Sequence, residues 1–252
     1  MESSPFLIVN DQPIFINKAV KYLQASGKLA QFMGEILRQY IIEQEIESRD
    51  DIQVSPALTE QTIIDFRLKN QLNDPKTFQE WLHNNATDYA TFYESIALSF
   101  KLEKLKVLIT EHKIHEYFIE RKIFLDRVII SRIIVDDLEV AQELQAQIAE
   151  GGSFEQLAKE YSLAEDHMVN GMMGPVSRGT IPDQLRAVID TANTGEVVGP
   201  IEIEGRYGLF RVEQFLPASL EDIQLQQSLQ NELFEKWLVE KIQKLTVKLQ
   251  MS

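Results

Sequence analysis

The sequence predicts an α+β protein: an all-helical domain built from both chain ends, with a small α+β domain around an antiparallel sheet inserted between them. Three observations carry this. Residues 1–125 read as helical, with apolar side chains at three-four spacing. Residues 126–215 change character, with β-rich runs at both ends and a glycine-punctuated stretch in the middle. Residues 216–252 return to one long helical stripe, too broadly apolar to stay uncovered, and the helices of the first segment are its natural cover.

Composition bounds the possibilities. The chain has 252 residues, 44% hydrophobic and 25% charged, which suits a globular protein of two domains. A net charge of −14 argues against a nucleic-acid partner, which needs clustered Lys and Arg, and against docking on an anionic membrane. With no Cys there is no disulfide, no thiolate zinc site and no Cys nucleophile. Met1 to Asn10 lacks the basic start, long apolar run and small-residue site of a signal peptide. No apolar stretch is long enough to span a membrane, so membrane insertion is not expected. The N-terminus as it stands predicts a cytoplasmic protein; a processed leader would make it an exported one.

The helices of the first segment can be placed from their punctuation. Ile14 to Leu23 forms one, ended at Ser26-Gly27; Leu29 to Glu47 forms a second, with Leu29, Phe32, Met33, Ile36, Leu37, Tyr40 and Ile41 on one face. A third starts after Ser55-Pro56, with Thr59 as its N-cap, and stops at Asn73-Asp74-Pro75. A short one begins at Thr77, and another, capped by Thr87 or Asp88, runs on, bent or broken, to Phe124. His112 and His115 lie one helical turn apart, but two ligands without a third make a polar helix face the simpler reading than a metal site.

The middle block opens with the strand run Val128 to Val135. A helix capped by Asp136 or Asp137 buries Ala141, Leu144 and Ile148 and ends at Gly151-Gly152. Ser153-Phe154-Glu155-Gln156 is a capping box that starts a short helix burying Phe154, Leu157 and Tyr161. After the glycine loop, Asn170 to Gly179, Pro182 opens a helix whose Leu185, Val188 and Ile189 face inward. Two strands, Val197 to Glu204 and Tyr207 to Phe215, meet in a tight turn. In the last one Gly208, Phe210 and Val212 share a face.

Four pieces of this block, in order, resemble the parvulin family of peptidyl-prolyl cis-trans isomerases: Arg132 to Val135; Gly152 to Ser162; Gly171 to Gly174 with Ser177 to Ile181; and Gly195 to Pro200 leading to Tyr207 to Val212. With helical sequence on both sides, the whole chain resembles a SurA-like chaperone. The domains expected from this are a helical N-terminal segment, 1–125, a parvulin-like domain, 126–215, and a C-terminal helix, 216–252, packing back on the first. The resemblance implies unfolded or proline-containing polypeptide as client and no cofactor or metal, because rotation about an X-Pro amide needs only a site that favours the twisted bond. It also brings in a periplasmic location as the alternative to the cytoplasm.

The family's site holds two His, a Cys or Asp, and often a Ser or Thr. Position by position, the first His falls on Arg132, the Cys or Asp on Ala164, the Ser or Thr near Gly205, and the second His on Gly208. The acid-base network is therefore missing; Glu165, Asp166 and His167 lie close enough in sequence to substitute. The positions that floor the proline pocket fall on Met173, Ile181 and Leu185, all apolar. As residues alone these three read as core beneath a glycine loop; with the resemblance they read as a peptide groove. The block has seven Arg and Lys against sixteen Asp and Glu, a balance of −9, which argues against a phosphate clamp. Three readings follow: a chaperone for unfolded chains with weak or absent isomerase activity, a working isomerase with a rearranged site, and a non-catalytic assembly adaptor.

Overall fold

The computed structural model describes residues 5–250, and the chain divides into two units. One combines Met1–Ile114 with Ser228–Ser252; the other is His115–Gln227.

In the first unit, helix formation starts later than the periodicity suggests. Asn10 and Asp11 take positive φ, which these two residue types tolerate, and so close a hairpin between β1 (Leu7–Val9) and β2 (Gln12–Ile14). Helices follow at Ile16–Ala25 (α1), Leu29–Glu47 (α2), Pro56–Lys69 (α3), Pro75–Asn84 (α4) and Tyr89–Thr110 (α5). Two starts differ from expectation, both because proline prefers the first helical position. Ser55, not Thr59, precedes α3, and Thr59 is buried inside it; Asp74 caps α4 by accepting the Thr77 N–H at 2.9 Å. Phe66, Phe78, Trp81 and Phe92 join α3, α4 and α5 in one aromatic cluster, Phe66 and Trp81 edge to face at 5.1 Å.

The last helix, α10 (Ile223–Gln243), supplies Phe234 and Leu238 to a core with Ile41, Ile42 and Ile46 of α2 and Leu105 of α5. Ion pairs from Arg38 to Glu235 and from Lys241 to Glu45 flank it. The helical body thus draws on both chain ends.

The second unit begins with α6 (Ile114–Leu125) and is built on a four-stranded antiparallel sheet. Its strands are β3 (Arg127–Val135), β4 (Met172–Ser177), β5 (Val197–Ile203) and β6 (Arg206–Leu216), in the order β4-β3-β6-β5. Strand alternation divides the core. On one face Ile133, Val135 and Leu209 pack under α7 (Leu138–Ala149) and α8 (Phe154–Tyr161). On the other, Val128, Ile130, Phe210 and Val212 pack under α9 (Asp183–Ile189) through Leu185 and Ile189. Tyr161, expected inside, ends α8 with 41% of its surface exposed.

β4 lies within what reads in sequence as a glycine loop. Its glycines and Pro175 mask the alternation, yet as an edge strand it tolerates a proline and an irregular register against β3. Gly171, at φ +74°, brings the chain so close to β3 that a Cβ there would lie 2.2 Å from the Arg132 carbonyl oxygen.

Asp126 fastens the domain's ends. Its buried carboxylate accepts from Lys122 of α6, from Arg178 Nη1 at 3.2 Å and from the Ala218 backbone N–H at 2.8 Å, and its carbonyl accepts the Arg178 N–H at 2.9 Å. Burial pushes this carboxyl up, but Lys122, the Ala218 N–H and Arg178 together outweigh it and hold it below its ordinary value. On α8, the Arg211 guanidinium holds Glu155 down at about 2.

Asp126→Asn should therefore destabilise the second unit by about 3 kcal/mol, the cost of removing one partner from a buried ion pair. Amide exchange in the intact chain should show β3, β4 and β6 losing protection while α2 and α5 keep theirs. Both carboxyls have depressed values, so their stabilisation is complete above the ordinary carboxylate range and lost as pH falls through their folded values. For Glu155 that window runs from about 4.5 down to about 2.

Candidate functional site

The sheet face under α9 carries a pocket of about 300 Å³. Met173 from β4, Ile181 from the turn before α9 and Leu185 from α9 line it together with Arg132 of β3. The three apolar positions singled out in the sequence thus share one cavity. Ile181 and Leu185 are buried in the core beneath it, and Met173 packs against that core. Core and pocket are therefore not alternatives here: the same side chains do both. Sequence reasoning missed Ile130, Ile134 and Val176, which complete the walls. Alternation on β3 places Ile130, Arg132 and Ile134 on one face and was the available signal; Val176 was hidden in the disguised strand.

The polar residues of this wall are Thr180, Glu204 and Arg132. Arg132 is held to the turn beside it. Its Nε donates to Asp166 Oδ2 at 2.8 Å, and its backbone N–H donates to the Gly171 carbonyl at 2.8 Å. The Gly171 N–H in turn donates to the Asp166 carbonyl at 2.9 Å, so the 3₁₀ turn Glu165–Val169 is sewn to the strand. Asp166 keeps its second oxygen, Oδ1, buried with no hydrogen-bond partner among the described residues.

Among the other candidates, His167 turns its Nδ1 to the Ala164 carbonyl at 2.8 Å. Ala164 caps the 3₁₀ turn, and Glu165 is exposed. None of these three lines the pocket.

Gly208 pairs with Ile134 across β3 and β6, two residues from the Arg132–Phe210 pair and on the same face. A Cβ at Gly208 would meet the Phe210 ring at 2.5 Å and Ile134 Cδ1 at 3.0 Å. The space that a side chain would take is filled by the neighbouring phenyl ring, itself 2% exposed. Arg132 and Gly208, the positions that the resemblance gives to the two imidazoles, thus lie diagonally across the ladder on one sheet face. One holds an ion-paired guanidinium and the other has been packed over.

The arrangement offers a largely apolar cavity whose polar lining is Arg132, Thr180 and Glu204, with no imidazole among the described residues of its wall. It can desolvate an apolar ring and offer N–H donors to a carbonyl.

Comparison with known proteins agrees with this geometry. Residues 136–214 match the Rotamase family, described as the PPIC-type PPIase domain. The foldase protein PrsA of Bacillus subtilis is 28% identical over 115 residues, covering 45% of this chain and 38% of the relative. That of Geobacillus kaustophilus is 30% identical over 112 residues, covering 44% and 38%. The chain therefore spans less than half the length of these two relatives. A crystal structure of PrsA from Bacillus cereus aligns with 99% of this chain and 95% of its own at 16% identity and a TM-score of 0.47.

Gly208→His should fail to rebuild an imidazole pair. The added ring must displace Phe210, and overpacking of this kind costs about 1–3 kcal/mol. Denaturant titration should show the loss, and the double variant Gly208→His/Phe210→Ala should recover part of it. On matched residues, sheet order and pocket, residues 136–214 of this chain are a PPIC-type, that is parvulin-type, rotamase domain.

Proposed function

We propose that the protein is a SurA-like folding factor that binds unfolded or extended polypeptide, with weak or absent isomerase activity. The observation that carries this is the coexistence of a complete apolar pocket with occupied catalytic positions: Met173, Ile181 and Leu185 line a cavity of about 300 Å³, while Phe210 fills the space beside Gly208. A pocket lined mostly by Met173 and by Ile, Leu, Val and Phe side chains accepts varied apolar residues, which suits a client range wider than one sequence. Names support the same reading: the relatives are foldases. They also favour the periplasmic alternative over the cytoplasmic one. Among the described residues no helix is long and apolar enough to cross a membrane.

Met173→Lys puts a charge in the cavity wall and should weaken binding of an extended proline-containing peptide at least about tenfold, the effect of leaving an ammonium poorly solvated. Fluorescence anisotropy of the intact chain measures this. Unchanged affinity would show that the cavity is core alone.

A second reading, an isomerase with a rearranged site, draws on Arg132, whose guanidinium borders the pocket. N–H donors beside an apolar cavity can favour the twisted amide by bonding its carbonyl or its nitrogen. Protease-coupled isomerisation of X-Pro peptides decides between the two. Our reading expects a rate near the uncatalysed one, unaltered by Arg132→Ala, Asp166→Asn or His167→Ala. A rate well above it that falls with Arg132→Ala would favour the rearranged site.

A further inference from the structure

The first unit has a second apolar concavity, of about 470 Å³, between the N-terminal hairpin, α1 and α2. Phe6, Leu7, Ile14, Val20, Leu23 and Phe32 are among its walls. Phe6 and Leu7 are each at least half exposed, at 55% and 50%, and Ile8 and Val9 beside them are 67% and 50% exposed. So much apolar surface left in water is a binding surface by default. Two further features define what it binds.

The first is the strand edge. Among the described residues β1 pairs with β2 alone, in a two-stranded sheet. Its other edge offers unpaired N–H and C=O groups, which an extended polypeptide satisfies and a folded surface does not. The second is charge. The chain carries −14 overall, yet from Gln12 to Gly34 there is no Asp or Glu, and Lys18, Lys21 and Lys28 are all exposed there. Lys18 stands over the ring of Tyr22, itself a groove residue, at 5.7 Å. A second copy of this chain is a poor occupant, because a two-fold contact sets the same patch against itself and brings these lysines together.

We propose that this groove binds an extended apolar segment of another polypeptide, with selectivity for segments flanked by acidic residues. The proposal rests on the folding-factor reading and gives it a site apart from the rotamase pocket. Apolar burial supplies the affinity, and the exposed lysines of α1 and of the turn before α2 supply the selectivity.

The test uses the intact chain and two labelled, proline-free peptides with one Leu/Phe-rich core, flanked by Asp in the first and by Lys in the second. The Asp-flanked peptide should bind tighter at low salt, and added salt should erase the difference. The charge reversal Lys18→Glu/Lys21→Glu touches only exposed side chains; it should invert the preference by roughly tenfold. Leu23→Glu should abolish binding of both peptides. A preference that ignores the reversal, or sedimentation showing the groove closed by self-association, overturns the proposal. Suppression of client aggregation separates the two claims. If the intact chain suppresses aggregation and the groove variants do so equally, the groove assignment falls and the folding-factor reading stands. If the intact chain binds the peptides with the expected selectivity but protects no client, the folding-factor reading falls instead.

Discussion

A single buried carboxylate closes the second unit. Asp126 sits where α6 gives way to β3, and from there it bonds the segment after β4 through Arg178 and the chain's exit through the Ala218 N–H. Arg178 extends the link to Asp190, just past α9, at 2.6 Å. The same strap therefore fixes β4 and α9, the two elements that contribute Met173 and Leu185 to the pocket. An insertion that must be held at both of its ends needs such a tie, because its own sheet gives no constraint on where the flanking chain leaves. A charge at this place is costly to bury, and it is tolerated because every lone pair that faces inward finds a donor.

The packing of the pocket explains why glycine is accommodated at position 208. On a sheet face, directly paired and next-but-one residues compete for one volume. Once position 208 is glycine, the Phe210 ring can lie over it, and Ile134 closes the remaining side. The ring then brings its own apolar area to the core that supports Ile181 and Leu185. Arg132, across the ladder from Phe210, has turned its Nε to Asp166. The Phe210 ring and the Arg132–Asp166 pair thus occupy neighbouring positions of one sheet face.

Much of this was legible from residue patterns. α2 begins and ends where its apolar stripe does, because nothing in that stretch competes with the three-four period. The alternation in β6 assigns Phe210 and Val212 to one face and Leu209 to the other, as found. What stayed hidden was hidden for physical reasons. β4 carries glycines, a proline and two methionines, none of which signals a strand, and it owes its conformation to hydrogen bonds from β3 rather than to propensity. The β1–β2 hairpin is set by two residues at positive φ, a feature of backbone and not of hydrophobic pattern. The neighbourhood of Asp166 and Arg132 was read only as sequence proximity; the distance of 2.8 Å between them arises because Gly171 lets the intervening turn press against β3.

The two apolar concavities differ in what surrounds them, and the difference bears on how a folding factor avoids the fate of its clients. A protein that displays Phe6, Leu7 and Ile8 to solvent invites self-association. A net charge of −14 opposes this, since two copies repel one another. The same repulsion extends to complexes. On the proposed reading, a client held in the groove would be carried by an acidic body, and two such complexes would resist the encounters by which unfolded chains aggregate. Strong long-range repulsion combined with short-range apolar capture does not require tight binding. Affinity can stay modest, so that release is fast and the client is returned to solution free to fold.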